Sequence, residues 1–439
     1  MVASISDKAA IVGIGTTEFS KDSGRSELAL AAEAVKKALD DAGLKPSDVD
    51  GLVTFTIDQN EEVDVARAVG CDNISLYSRV PYGGGAATGT LLQAAMAVAT
   101  GVAETVVCYR ALNGRSGQRY SAGVSGNLIT GSAIHYGYYM PFGLLTPASW
   151  VAMFTRRYMH LTGCTQDALF EVAHATREYA VNNPAAFFYQ RPFTRAEYDA
   201  GKKICDPLKL YDCCQESDGG CAVVVTTPER ARHLAQPAVS IRGVASYIAK
   251  DQEEMTSFYR PEIARIPEMD LAAADAYAQC GLSAKDIDAA VIYDAFTPIV
   301  LWQLESWGFC NFGEAADFVQ AGNLRPDGRL PTNTHGGQLS EAYIHGVNGI
   351  VEAVRLVRGT SVNQPRKTVN HALVTSGVGV PTGGAILGRV AGIHPPRRPA
   401  DEFPDDRGAE LDRRYGGADL CRFLYRRAHP AVLVERCRL

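Results

Sequence analysis

Three segments of this chain hold residues that could move a proton or hold an anion. The first is Tyr293-Asp-Ala-Phe296, directly after the apolar run Ala289-Ala-Val-Ile292. The second is Gly336-Gly-Gln-Leu-Ser-Glu-Ala-Tyr-Ile-His-Gly-Val-Asn-Gly349, which sets Tyr343 and His345 among glycines. The third is Arg79-Val-Pro-Tyr-Gly-Gly-Gly-Ala-Ala-Thr-Gly-Thr-Leu-Leu-Gln-Ala-Ala95, a loop running into a small-residue helix, with Gly84 and Gly85 at the turn. The N–H groups that open such a helix favour negative charge. A tyrosine ionises near pH ~10, so it acts as a base at neutral pH only in a dry pocket with donors around the phenolate, or through a relay to a neighbour such as Asp294 or His345. Each feature also has a plainer reading. Most of the 19 tyrosines must be core aromatics with a satisfied hydroxyl. A glycine-rich turn alone says little. His345, two residues past Tyr343, either polarises the same site or faces the other side. Asp294 is equally at home in solvent or in a structural hydrogen bond, and His335 reads as structural.

Cysteine chemistry is the obvious competitor. The chain has 11 cysteines, scattered apart from Cys213-Cys214. No Cys-x-x-Cys spacing occurs, so no structural zinc is expected, and no other metal or cofactor is called for. In a reducing compartment they behave as small buried hydrophobes. Cys213-Cys214 and Asp218 are assigned to packing and turn chemistry. The composition is that of an ordinary globular protein of 439 residues, 46% hydrophobic and 21% charged, with room for two packed domains. A net charge of −6 creates no basic field for nucleic acid or anionic lipid. No apolar run suffices for a membrane span, and Met1-Val-Ala-Ser-Ile-Ser-Asp-Lys8 lacks a signal peptide's apolar core, so a cytoplasmic location is expected.

The elements that must position these residues show an internal repeat. Ala38-Leu-Asp-Asp-Ala-Gly-Leu-Lys-Pro-Ser-Asp-Val-Asp-Gly-Leu-Val-Thr-Phe55 matches Ala276-Tyr-Ala-Gln-Cys-Gly-Leu-Ser-Ala-Lys-Asp-Ile-Asp-Ala-Ala-Val-Ile-Tyr293, glycine, leucine and both aspartates aligned. Each copy reads as a helix end, a glycine C-cap, a short turn and a buried strand. Ser26 is placed to cap the first helix, with Leu28, Ala31, Val35 and Leu39 on its apolar face. Strands are expected at 9–15, 105–109, around 217–225, at 239–245, 369–377 and 383–387. A long irregular region, roughly 113–200, holds one helix near Trp150–His160; a loop this long is usually functional. The halves divide as 1–235 and 236–393. Residues 394–439, with ten arginines and no lysine, read as a disordered or appended tail.

Together these features resemble the thiolase superfamily over residues 5 to 390. The resemblance implies an α/β fold of two duplicated βαβαβαββ halves in five layers, αβαβα, with an inserted loop region. Ser217-Asp-Gly-Gly-Cys-Ala222 looks like that family's Ser-Asp-Gly-Ala-Ala-Ala strand entry. Tyr293-Asp-Ala-Phe296 looks like its Asn-Glu-Ala-Phe block, or His-Asp-Cys-Phe in the sterol-carrier-protein-like branch. The 336–349 segment looks like its Gly-Gly…Gly-His-Pro block. The departures are systematic. The nucleophilic cysteine falls on Gly84, the catalytic histidine on Tyr343, and the water-holding residue on Tyr293. The second cysteine falls near Ser376-Gly-Val-Gly379, where there is no thiol.

A thiolase needs its thiolate to capture an acyl fragment. A β-hydroxyacyl-CoA needs no such acceptor. Deprotonation of its hydroxyl releases a neutral ketone and a thioester enolate, which requires one base and one acid. This pattern of replacements looks like the lipid-transfer-protein-type aldolases of actinobacterial sterol catabolism. The resemblance implies a carbon–carbon lyase that splits a 17-hydroxy steroid C22 acyl-CoA into a 17-keto steroid and propionyl-CoA. It assigns catalytic roles to Tyr293, Tyr343, Asp294 and His345. It assigns substrate binding to Gly84, Gly85, Gly336 and Gly337, with Gly84 opening space beside the acyl carbon and the following helix N–H groups holding the enolate oxygen. It further implies a homodimer flanked by partners, each a small OB-fold acyl-CoA-binding domain with a zinc-ribbon element carried by a hydratase subunit. Two alternatives stand beside it: a non-catalytic acyl-CoA or sterol carrier, and a true thiolase using Cys71 or Cys108. Neither cysteine is placed on a helix N-terminus, where a thiolate is favoured.

Overall fold

The computed structural model describes residues 5–117, 119, 122, 136–253, 256–377 and 381–390. The arginine-rich tail and the Gly131–His135 part of the loop region lie outside the described residues. The principal elements of the first half are β1 (Ala10–Thr16), α1 (Glu27–Ala42), β2 (Gly51–Phe55), α2 (Glu62–Val69), β3 (Leu76–Val80), α3 (Ala86–Thr100) and β4 (Thr105–Asn113). Then come α4 (Pro147–Thr162), α5 (Gln166–Ala180), α6 (Arg195–Ala200), the hairpin β5 (Lys203–Cys205) and β6 (Leu208–Lys209), and β7 (Asp218–Thr226). After the short helix α7 (Pro228–Ala231), the second half has β8 (Val239–Tyr247), α8 (Pro267–Cys280), β9 (Ala289–Val291), α9 (Thr297–Ser306), α10 (Ala315–Gln320), α11 (Val347–Arg358), β10 (His371–Ser376) and β11 (Thr382–Arg389).

Nine strands form one mixed sheet in the order β3-β2-β4-β7-β1-β8-β11-β10-β9. β2 is parallel to β4, and β4, β7 and β1 alternate antiparallel. β9 is parallel to β10, and β10, β11 and β8 alternate in the same way. The motif is thus repeated, and the copies meet where β1 pairs with β8 at Ala10–Ser240 and Ile11–Val239. α3 and α11 each touch strands of both halves and form an inner helical layer. α1 covers β1, β7 and β4 from outside, and α8 covers β8 and β11. These contacts give the five-layer αβαβα order.

The repeat is explained bond by bond. Ser26 accepts the Ala29 N–H at 3.1 Å, and Gly43 and Gly281 close α1 and α8 at φ 72° and 68°. The first aspartate of each turn caps it: Asp48 accepts the Lys45 N–H, Asp286 that of Ser283. The second reaches the next strand of its half. Asp50 accepts the N–H groups of Glu104 and Thr105 at the start of β4, and Asp288 those of Asn370 and His371 at the start of β10. Helix and strand also approach equally closely in both copies. A Cβ on Gly13 of β1 would lie 2.0 Å from the Ala38 carbonyl oxygen, and one on Gly243 of β8 would lie 2.3 Å from that of Ala276.

Two expectations need correcting. The second half lacks a full third strand: the counterpart of β3 is a single parallel bridge from Ala290 to Thr332. Asn333, at φ 57°, turns the chain out of line, and its amide then bonds the Ile292 backbone on both sides. The 113–200 region is also less irregular than its composition suggested. It contains the expected helix as α4, and also α5 and α6, each started by a capping threonine, Thr165 and Thr194.

Candidate active site

Tyr293 leaves the end of β9 and is fixed before its side chain enters the site. Its N–H donates to the Thr375 hydroxyl at 3.0 Å, and its carbonyl accepts from the Gln303 amide at 2.7 Å. Thr375 in turn donates to Gln303 at 2.6 Å, tying β10 to α9 behind the tyrosine. Tyr343 comes from the loop before α11, and its N–H donates to the Ser217 hydroxyl. The Ser217 segment noted in the sequence thus positions one of the two tyrosines.

The two hydroxyls meet. Tyr293 Oη donates to Tyr343 Oη at 2.9 Å, with ring centroids 6.4 Å apart. Tyr293 is buried and Tyr343 half-buried. Desolvation, with Tyr343 close by, holds the Tyr293 phenol well above its usual ionisation range. Tyr293 is therefore a proton-bearing donor behind the more exposed Tyr343.

Gly84 is where the structure departs most from expectation. A Cβ at this position would lie 1.8 Å from Tyr293 Oη and 2.1 Å from its Cζ. The room left by the missing side chain is not open to substrate; the Tyr293 hydroxyl fills it. The helix N-terminus beyond it is partly committed as well. The Ala86 N–H bonds the Gly83 carbonyl, and the Thr88 N–H bonds Ser376 Oγ. Ser376, near the expected place of a second thiol, also donates to the Gly85 carbonyl at 3.0 Å and so braces the turn from the other half.

His345 lies on the same side as the tyrosines. Its ring packs edge-on against Tyr343 with centroids 4.9 Å apart, and a Cβ on Gly83 would lie 3.3 Å from its Nε2. Burial and the Arg110 guanidinium both push its ionisation well below the ordinary histidine range, so it is neutral. Asp294 takes a different place. It accepts the N–H groups of Gln338 at 2.7 Å and Leu339 at 3.4 Å, and burial raises its pKa to about 7. Gly336 and Gly337 meet protein on the faces where side chains would stand. A Cβ on Gly336 would lie 2.7 Å from Ala180 Cβ, and one on Gly337 2.0 Å from Asp294 Oδ2. These glycines let a π-helical turn at Gly337–Glu341 close onto the Asp294 carboxylate.

Arg110 was missed by sequence reasoning: a single arginine at the end of an apolar strand carries no motif. The proposed thiol alternatives also have locations now. Cys108 is buried in β4, donates to the Thr90 carbonyl, and is pushed up to about 12. Cys71, just past α2, is raised by burial. Asp218 accepts from the backbone of Ser23, Arg115 and Ser116, which is turn chemistry.

A family model described as thiolase C-terminal domain-like matches residues 249–389. The chain is 60% identical over 382 residues to the steroid side-chain-cleaving aldolase of Thermomonospora curvata, covering 87% of this chain and 97% of that one. It is 55% identical over 388 residues to the 17-hydroxy-3-oxo-4-pregnene-20-carboxyl-CoA lyase of Mycobacterium tuberculosis, covering 88% and 100%. A solved Ltp2-ChsH2(DUF35) aldolase superposes with a TM-score of 0.85 at 58% identity, covering 89% of this chain and 100% of that one. At this identity over nearly the whole length of those relatives, this chain belongs to the steroid side-chain-cleaving aldolases of the thiolase superfamily.

Proposed function

We propose that this protein is a carbon–carbon lyase that cleaves a β-hydroxyacyl-CoA by a retro-aldol reaction. Its substrate is a 17-hydroxy steroid C22 acyl-CoA, and its products are a 17-keto steroid and propionyl-CoA. The observation that carries this is the hydroxyl pair of Tyr293 and Tyr343, 2.9 Å apart, at a turn whose residue 84 has no side chain. The half-buried Tyr343 is the group next to substrate. A hydrogen bond from Tyr293 lowers the cost of charge on Tyr343 as it takes the substrate hydroxyl proton. The carbon–carbon bond then breaks, its electron pair forms the thioester enolate, and the tyrosine pair returns the proton to the α-carbon. Proton transfers alone balance this reaction, so it draws on no cofactor beyond the CoA thioester itself. Gly84, Gly85 and the 336–337 turn form the walls around the acyl group through their backbone.

The DUF35 component named for the structural relative supports a small OB-fold acyl-CoA-binding domain as partner here. β3 is the end strand of the sheet and carries the exposed Tyr77, which supports pairing with a second copy as a homodimer. Among the described residues no helix is long and apolar enough to cross a membrane. The nine free cysteines of the described residues and a CoA substrate fit a cytoplasmic setting. The test is incubation of the chain and its partner domain with the steroid acyl-CoA. Ketone and propionyl-CoA appearing without consumption of free CoA supports the reading. Binding without turnover would instead favour a carrier.

A further inference from the structure

Behind the tyrosine pair lies a buried row of three side chains outside the reaction steps described above. Asp58 Oδ2 and Arg110 form an ion pair at 2.7 Å, both 1% exposed or less at the side chain. Arg110 Nε donates to His345 Nδ1 at 3.1 Å. An arginine has only donors, so Nδ1 must be the accepting nitrogen and the proton of the neutral ring sits on Nε2. That nitrogen is the one that faces Gly83, one residue before the glycine filled by the Tyr293 hydroxyl. His345 is held there at φ 51°, a conformation that costs energy for a side-chain-bearing residue and needs support from its surroundings. Two first-turn N–H groups of α3, Ala86 and Thr88, are already bonded within the protein.

We propose that Arg110, anchored by Asp58, is a positioning residue that fixes His345 as its Nε2–H tautomer and aims that N–H at the Gly83–Gly84 turn, where it holds the thioester oxygen as the enolate forms. This rests on the reading that the turn receives the acyl thioester. A neutral imidazole donor stabilises the developing charge without offering a strong acid that would protonate the enolate oxygen.

The test uses the chain with its partner domain. His345→Phe keeps the ring beside Tyr343 but removes the donor; kcat falls by about 10²–10³-fold with KM little changed. His345→Gln restores an N–H near the Nε2 position and recovers most of that loss. Removing both charges, Arg110→Gln with Asp58→Asn, replaces a side chain that only donates with one that can donate or accept, so nitrogen-15 spectra of the variant show a loss of the single Nε2–H tautomer while kcat falls with KM little changed. A His345→Phe variant with parental kcat, or a double variant that keeps the parental tautomer and kcat, overturns the proposal. Nitrogen-15 spectra of the parent protein decide the tautomer without any turnover: an Nε2–H ring is expected, and an Nδ1–H ring overturns the claim. If no β-hydroxyacyl-CoA is cleaved by the parent, the reaction reading falls, while those spectra still judge the positioning of His345.

Discussion

The hydroxyl of Tyr293 stands 1.8 Å from where the Cβ of any larger residue at position 84 would be built. Glycine there is a steric requirement of the tyrosine and is set by a residue 209 positions away. Gly84→Ala therefore displaces the ring, costs about 1–3 kcal/mol through overpacking, and breaks the tyrosine pair. Turnover falls at least a hundredfold. Thermal denaturation checks the mechanism: the loss in the Gly84→Ala, Tyr293→Ala double variant is smaller than the sum of the two single losses, because the two changes share one contact. Additive losses would sink it.

Removing either hydroxyl leaves the packing nearly intact. Tyr293→Phe and Tyr343→Phe each lower kcat by about 10²–10⁴-fold, the range for a lost proton-transfer group, with small changes in melting temperature. The double variant is no worse than about either single one, since the hydroxyls act as a unit. Full activity in either variant would remove that residue from the reaction.

Asp294 predicts a pH dependence of stability. Its folded pKa is about 7 against an ordinary value of 3.8, so the folded state keeps a proton that the unfolded chain releases between those values. The stability this supplies is present below the lower value and is lost as pH rises toward 7. Asp294→Asn retains an acceptor for the Gln338 N–H and does not titrate. The parent should lose stability relative to the variant across that window, by up to about 1.4 kcal/mol per pH unit, and the difference should level off above it. Parallel stability curves for the two proteins would refute this.

A thiolase mechanism using another cysteine predicts loss of activity on removal of that thiol. Cys71→Ser and Cys108→Ala are expected to leave kcat unchanged, because burial keeps both thiols protonated. Product release assays decide the point.

Much of the scaffold could be read from local patterns. The duplicated helix–turn–strand unit, the first aspartate of each turn and the Ser26 cap depend on residues near one another in the chain, whereas the second aspartates, Asp50 and Asp288, bond strand starts more than fifty residues away. The tyrosines were marked by where they fall in two motif blocks. What could not be read was set by distant contacts. The filling of Gly84 by Tyr293, the Asp294 carboxylate under the 337–341 turn, and Arg110 behind His345 each join segments far apart in sequence. The truncated third strand of the second half depends on one positive φ at Asn333, which no periodicity reveals. The helices α5 and α6 did have a local signal, in their capping threonines, beneath a composition rich in aromatic and turn residues.

The packing of Tyr293 into position 84 also constrains descent. Neither residue can drift alone: a thiol gained at 84 collides with the aromatic ring, and a smaller residue at 293 discards the proton donor before any nucleophile has arrived. Acyl capture and bond release on this scaffold are thus separated by a fitness valley that only paired substitutions cross. Among related sequences, a side chain at position 84 should occur with a small or slender residue at 293.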